Sequence, residues 1–166
     1  KIEGGSRMAE RIEAVTHADI PVMGHIGLTP QSINRIGGYR VQGKHYKDAR
    51  QIKKDALILQ EAGVFSIVLE GIYGDLAAEI TQDIKVPTIG IGAGIKCDGQ
   101  ILVLHDLLGL GMSSTPKFVK QYTNLGNETQ KAVNNYIQEV RDEIFPDADH
   151  SYKTKTQQLK SVSDGS

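Results

Sequence analysis

The sequence predicts an α/β fold built on a parallel sheet, and three features carry that reading. Short runs that are apolar throughout, such as Val64 to Leu69, alternate with longer amphipathic stretches, the pattern of strands covered by helices. The helix-then-strand unit recurs about four times along the 166 residues. Polar side chains fall at the C-terminal ends of apolar strands: Glu3, His25, Glu70 and the pair His105-Asp106. In a closed (β/α)8 TIM barrel such ends converge on one mouth, where active sites are found, whereas an open doubly wound sheet spreads them along an edge. The barrel is therefore favoured. A complete one takes roughly 250 residues, so this chain supplies strands for little more than half.

Element by element, Ile2 opens a short strand that ends at Glu3-Gly4-Gly5. Residues 6–18 place Met8, Ile12 and Val15 at helical spacing. Ile20 to His25 reads as a strand with Pro21 at its start, where proline is tolerated. Gly27 to Gly43 is a polar, glycine-rich loop with room for one helical turn. The clearest helix covers 47–62, with Ile52, Ala56 and Leu59 on one face and Gly63 beyond its end. Val64 to Leu69 forms a strand ending on Glu70, a helix spans about 75–84, and Val86 to Ile91 is a strand closing in glycines. Ile101 to Leu104 reads as the last strand, with helices at 116–123 and 128–143 after it. The domain reading is residues 1–150 as part of one barrel domain and 151–166 as a disordered Ser/Thr/Lys/Gln-rich tail.

Composition removes several function classes. Lys+Arg number 19 against 20 Asp+Glu, a formal charge of -1, so no whole-chain field attracts nucleic acid or anionic lipid. No apolar run approaches the roughly 18–20 residues of a membrane span. Cys97 alone cannot make a disulfide framework or a cysteine-rich zinc site, and it reads as an inert thiol. The chain opens on Lys1 rather than Met and carries no secretory pattern, so it reads as the middle of a longer polypeptide with a cytoplasmic address.

Four residues stand out chemically. Glu70 leaves a dry strand for a glycine-flanked mouth, the setting of a general base; a strand-end Glu pairing with a surface lysine is the plainer meaning. Lys1 and Glu3 share a strand face, so a cation and a carboxylate point into one space that suits an anionic substrate and a hard divalent ion. An ion pair at a strand end is the commoner meaning of that spacing. His25, between Gly24 and Gly27, reads as a hydrogen-bond donor on the substrate side. Gly90-Ile91-Gly92-Ala93-Gly94 has the look of half a dinucleotide fingerprint, but no helix follows it, so it reads as a tight strand-end turn.

Together the motifs Lys1-Ile2-Glu3-Gly4-Gly5, Pro21 to Ser32, Gly37-Gly38-Tyr39 and Val41-Gln42-Gly43 resemble the ketopantoate hydroxymethyltransferase family. The resemblance continues through Ile67 to Glu70, Ile89 to Gly94, Asp98-Gly99-Gln100, His105-Asp106, Pro116-Lys117-Phe118, Phe145-Pro146 and His150-Ser151-Tyr152, covering residues 1–152. It implies a barrel of the phosphoenolpyruvate/pyruvate-binding type, of which this chain is roughly the second half. It also implies transfer of a hydroxymethyl group from 5,10-methylenetetrahydrofolate to 3-methyl-2-oxobutanoate, giving 2-dehydropantoate for pantothenate synthesis. The resemblance makes Glu70 the base that forms a Mg²⁺-stabilised enolate, Lys1 and His25 substrate-binding, and Glu3 part of the metal site. It further implies a cytoplasmic homo-oligomer, commonly a decamer, acting on small molecules with no nucleic-acid or membrane partner.

The family's barrel has about three and a half further βα units ahead of the Lys1 motif. Those units carry a Ser and an Asp of the Mg²⁺ site. The chain is thus expected to be a C-terminal portion, with activity dependent on the remainder. Two other readings stay open at this point: another Mg²⁺-dependent 2-oxo acid C–C lyase or aldolase of the same barrel type, and a non-catalytic barrel fragment that associates through its open edge.

Overall fold

The structure is a computed structural model and describes residues 1–32, 40–111 and 115–153. Among these, five strands form one parallel sheet: β1 (Ile2–Glu3), β2 (Met23–Gly27), β3 (Ser66–Glu70), β4 (Thr88–Ile91) and β5 (Gly99–Gln100). The helices are α1 (Ala9–Thr16), α2 (Tyr46–Glu61), α3 (Gly74–Asp83), the single turn α4 (Leu104–Leu107), and α5 (Leu125–Arg141). Short 3₁₀ turns occupy Ser6–Met8 and Pro30–Ser32.

Spatial order equals chain order, β1 through β5. A doubly wound sheet needs a reversal of that order and helices on both faces. Here α1, α2 and α3 contribute Ile12, Leu59 and Ile80 to a single core with Ile26, Ile67 and Leu69 of β2 and β3. Strand alternation sends Ser66, Val68 and Glu70 to the opposite face. One face is helix-covered and the other carries the candidate chemistry. The sheet is wound in one direction only, an α/β arrangement with a parallel sheet that is consistent with part of a TIM-barrel-type fold.

The α2 helix shows how locally this architecture is written. Ile52, Ala56 and Leu59 recur at spacings of four and three, so they line one face and are buried. Its end is a Schellman closure: Gly63 N–H donates to the Gln60 carbonyl (3.0 Å) and Val64 N–H to Leu59 (3.3 Å). Gly63 sits at φ +88°, open to glycine at little cost, and the chain turns there into β3.

Three expectations are corrected. The second strand starts at Met23 rather than Ile20, because Pro21 offers no N–H to a ladder and Ile20 stays exposed. The last strand is not Ile101 to Leu104. Ile101, Val103 and Leu104 are each about half exposed, and Leu104 already begins α4, so His105 and Asp106 lie on a helical turn instead of a strand end. No helix forms over 116–123 in the described residues; Val119 N–H closes a single turn on Pro116. The predicted disordered tail falls mostly outside the described residues, which end at Lys153.

The early ending of the sheet has a visible cause. Fully buried Thr88 donates its N–H to Asp98 Oδ2 (2.8 Å), its hydroxyl lies 3.1 Å from the same oxygen, and Asp98 N–H returns to Thr88 Oγ1 (3.2 Å). This clasp fixes Gly99 opposite Ile89 and Gln100 opposite Gly90. Cys97 sits beside it. Burial pushes the thiol up from its ordinary value, more than the nearby Thr88 and Thr81 hydroxyls pull it down. Cys97 is therefore expected to react several-fold more slowly with a disulfide reagent at neutral pH than a free cysteine does. A native rate equal to that of the urea-unfolded chain would contradict this.

The chain divides into two compact units, the larger containing the whole sheet with α1 to α4. The second takes over at Leu108 and again from Gln121, and contains α5. Asn124 caps α5, its Oδ1 accepting from Asn127 N–H (3.2 Å). Beyond the helix, Asp147 Oδ1 accepts from His150 Nδ1 (2.7 Å) and from the backbone N–H groups of His150 and Asp149. The His150 ring, with its backbone N–H, holds the Asp147 carboxyl below its ordinary 3.8. A depressed carboxyl stabilises this turn above pH 3.8 and loses that contribution as pH falls through the lower folded value. An NMR titration of the Asp147 carboxyl is expected to show a midpoint below 3.8; one above it would contradict the assignment.

Candidate functional site

Glu3, His25 and Glu70 end up beside one another because β1, β2 and β3 are adjacent and parallel. The register sets Glu3 opposite His25 and Gly27 opposite Glu70. The strand ends are tied backbone to backbone: Gly4 N–H to His25 O (2.9 Å), Leu28 N–H to Glu70 O (2.8 Å), and Gly71 N–H to Ile91 O (2.9 Å). Gly27 lies at φ +92°, and a Cβ there would run into the Glu70 carbonyl oxygen, so only glycine lets β2 pass β3 this closely.

His25 is the centre of the group, with its side chain 1% exposed. Its Nδ1 lies 2.9 Å from Lys1 Nζ and 3.5 Å from Glu3 Oε1. A lysine ammonium has only donors, so Nδ1 accepts and the ring proton is assigned to Nε2. That Nε2 lies 3.0 Å from Glu70 Oε2. It nevertheless lacks a directed hydrogen bond among the described residues, because the carboxylate stands off the N–H axis. A buried donor without an acceptor is costly and marks a place where a further acceptor fits.

The two carboxylates are held differently. Glu3 is engaged on both oxygens: Oε1 faces Lys1 (3.4 Å), and Oε2 accepts from Gln31 N–H (3.1 Å). Glu70 has a side chain only 16% exposed, and among the described residues His25 is the one polar side chain within ion-pair distance of it. Lys1 is 45% exposed on its side chain and is the reachable cation of the group.

Mg²⁺ takes hard oxygen donors and commonly keeps one or two carboxylates plus waters and substrate oxygens. Glu3 fits one corner of such a site in donor type. Among the described residues, no three His, Cys, Asp or Glu side chains converge on a point, so Glu3 would share a metal with oxygens from elsewhere. The structure thus brings together all four residues singled out in the sequence. It does not bring His105 and Asp106 to them by any hydrogen bond or ion pair among the described residues. The Gln31 backbone N–H was not foreseen; Pro30, which starts the turn that presents it, was the available signal. The predicted contribution of Gly37 to Tyr39 lies outside the described residues.

No helix among the described residues is long and apolar enough to cross a membrane. Residues 1–148 match the ketopantoate hydroxymethyltransferase family. The chain is 60% identical over 152 residues to the 3-methyl-2-oxobutanoate hydroxymethyltransferase of Pelobacter propionicus, covering 92% of this chain and 56% of that protein. The proteins of the same name from Trichlorobacter lovleyi (58% over 153 residues, 92% and 57% covered) and Clostridium beijerinckii (51% over 162 residues, 98% and 59% covered) are similar. The chain spans little more than half the length of these curated relatives. With a family match over most of its residues and identities of this size, the chain belongs to the ketopantoate hydroxymethyltransferase family.

Proposed function

We propose that this chain forms part of a (β/α)8 barrel that transfers a hydroxymethyl group from 5,10-methylenetetrahydrofolate to 3-methyl-2-oxobutanoate, giving 2-dehydropantoate. The observation that supports this most is the buried His25 between a reachable cation and a nearly buried carboxylate. Lys1 offers its ammonium to the carboxylate of the 2-oxo acid. The orphan Nε2–H of His25 donates to a substrate oxygen and orients the acid with its C3 toward Glu70. Glu70 accepts the C3 proton on its carboxylate, and the sheltered strand end keeps water from competing for it. Glu3, with oxygens from outside the described residues, would hold Mg²⁺, which when bound supplies Lewis-acid polarisation of the keto oxygen. Water supplies the hydroxyl oxygen: its addition to the folate-borne carbon and cleavage of the C–N bonds free tetrahydrofolate and leave a one-carbon unit at the formaldehyde level, to which the carbon nucleophile forms the new C–C bond, so no serine or cysteine nucleophile is required. Residues 1–150 form one part of the barrel domain in this reading, and the assembly is a cytoplasmic homo-oligomer of decameric type.

The direct test is proton exchange at C3 of 3-methyl-2-oxobutanoate in D₂O, followed by NMR with and without Mg²⁺. Exchange that needs both protein and Mg²⁺, in the absence of folate, is the expected result. Folded protein that leaves the C3 proton in place removes the enolisation step from this reading.

A further inference from the structure

The end of β1 is fastened from outside the sheet. Glu3, set opposite His25, is followed by Gly4 and Gly5. Adjacent glycines lose more backbone freedom on ordering than any other pair, so a turn made of them needs fixing. Two backbone N–H groups do this. Gly4 N–H donates to the His25 carbonyl (2.9 Å) and ties the turn to β2. Ser6 N–H donates to Asp55 Oδ1 (2.9 Å) and ties it to α2, 49 residues further along the chain.

Asp55 is built for that hold. It is half-buried and directly precedes Ala56, one of the α2 residues seated in the core, so its place is set by packing. Gln51, one turn earlier, donates its Nε2–H to the same Oδ1 (2.9 Å) and steadies the carboxylate. The 3₁₀ turn Ser6–Met8 has no cap of its own, because the residue in the cap position is Gly5. Asp55 supplies the cap from another helix, an anion at the start of a helical run that continues into α1. The fit is close: a Cβ at Gly5 would run into the Asp55 carboxyl group, so the second glycine is needed for space. The hydrogen bonds of Asp55 among the described residues go to Ser6 and Gln51, and none reaches Lys1, Glu3, His25 or Glu70.

We propose that Asp55 is a positioning residue: by holding Ser6 it fixes the Gly4-Gly5 turn, and with it the strand end that presents Lys1 and Glu3 to His25. The inference rests on the substrate-side roles given to Lys1 and Glu3 in the proposed function. Asp55 acts on the reaction through these two residues, so its loss is felt in how the 2-oxo acid is held. Proton transfer to Glu70, which stands on β3, is left in place.

The test reads substrate saturation of C3 exchange and, separately, protection of one amide. In Asp55→Ala the concentration of 3-methyl-2-oxobutanoate giving half-maximal exchange is expected to rise about five- to tenfold, the worth of a lost cap. The saturated rate should stay within about twofold, because the base is untouched. A residue serving stability alone would lower the folded fraction, and so the saturated rate, and leave half-saturation unmoved. Asp55→Asn keeps an acceptor oxygen and should bring half-saturation back to within about twofold of the original. Gly5→Ala, which displaces the carboxylate, should give the same rise and add less than about twofold in combination with Asp55→Ala. Native-state hydrogen exchange of the Ser6 amide, which needs neither substrate nor metal, should quicken about tenfold in Asp55→Ala and remain slow in Asp55→Asn. Unmoved half-saturation in Asp55→Ala, a rise that Asp55→Asn shares in full, or multiplying effects of the two alanine variants overturns the proposal. A Ser6 amide that stays protected in Asp55→Ala overturns it whatever the substrate data show. Absence of C3 exchange from the unaltered protein is a separate failure, that of the proposed function, and removes this role with it.

Discussion

Exchange of the C3 proton of 3-methyl-2-oxobutanoate is expected to fall by about 10²- to 10⁴-fold in Glu70→Gln, the usual contribution of a positioned general base. The substitution keeps the volume and an oxygen in the place where Glu70 Oε2 lies 3.0 Å from His25 Nε2, so the surroundings have no reason to rearrange. What disappears is proton-accepting capacity at one atom. The loss corresponds to roughly 3–5 kcal/mol of transition-state stabilisation. Binding of the 2-oxo acid should change little, because Lys1 and His25 supply the ground-state contacts. A variant that retains exchange within fivefold of the original rate, measured by NMR in D₂O with Mg²⁺, would show that the base lies elsewhere.

The second large effect concerns stability. Leu59 is fully buried on α2, and a Cβ at Gly24 of β2 would meet its Cδ1 at 3.0 Å. Leu59 therefore fills the space that glycine leaves open on the strand carrying His25. Leu59→Ala should cost roughly 3–5 kcal/mol, transfer plus cavity, since Gly24 has no side chain with which to close the gap. Leu57, two residues earlier and 40% exposed, is the internal comparison; Leu57→Ala should stay within about 0.5 kcal/mol. Urea unfolding followed by circular dichroism separates them. Similar losses for the two variants would mean that α2 is not seated on β2 as described.

Much of this arrangement was legible from side-chain order alone. The run Val64 to Leu69 announces a strand buried on both faces, and the carboxylate that ends it has to emerge at the sheet's rim. The α2 face and its Gly63 stop follow from periodicity and a single permissive residue. The fate of Ile101 to Leu104 was not legible, because β-branched composition says nothing about whether a partner strand is present. What decides it is the Thr88–Asp98 clasp, a contact between residues ten apart that fixes β5 two residues early. In the candidate site, strand alternation placed Lys1 and Glu3 on one face. Neither the assigned tautomer of His25 nor the off-axis position of Glu70 has a sequence signature; both depend on distances that only the assembled sheet defines.

That dependence has a kinetic side. Glu3 and His25 meet across 22 residues of chain, and Gly27 and Glu70 across 43. Parallel pairings this remote must close loops before any contact repays the lost entropy, and they form slowly. A slip of one residue in β2 would turn His25 toward the helices and present Gly24 or Ile26 in its place. A chain could then be helical and compact yet hold no cation–imidazole–carboxylate row. Recovery of C3 exchange during refolding thus reports strand register, an arrival that helix-weighted spectroscopy passes over.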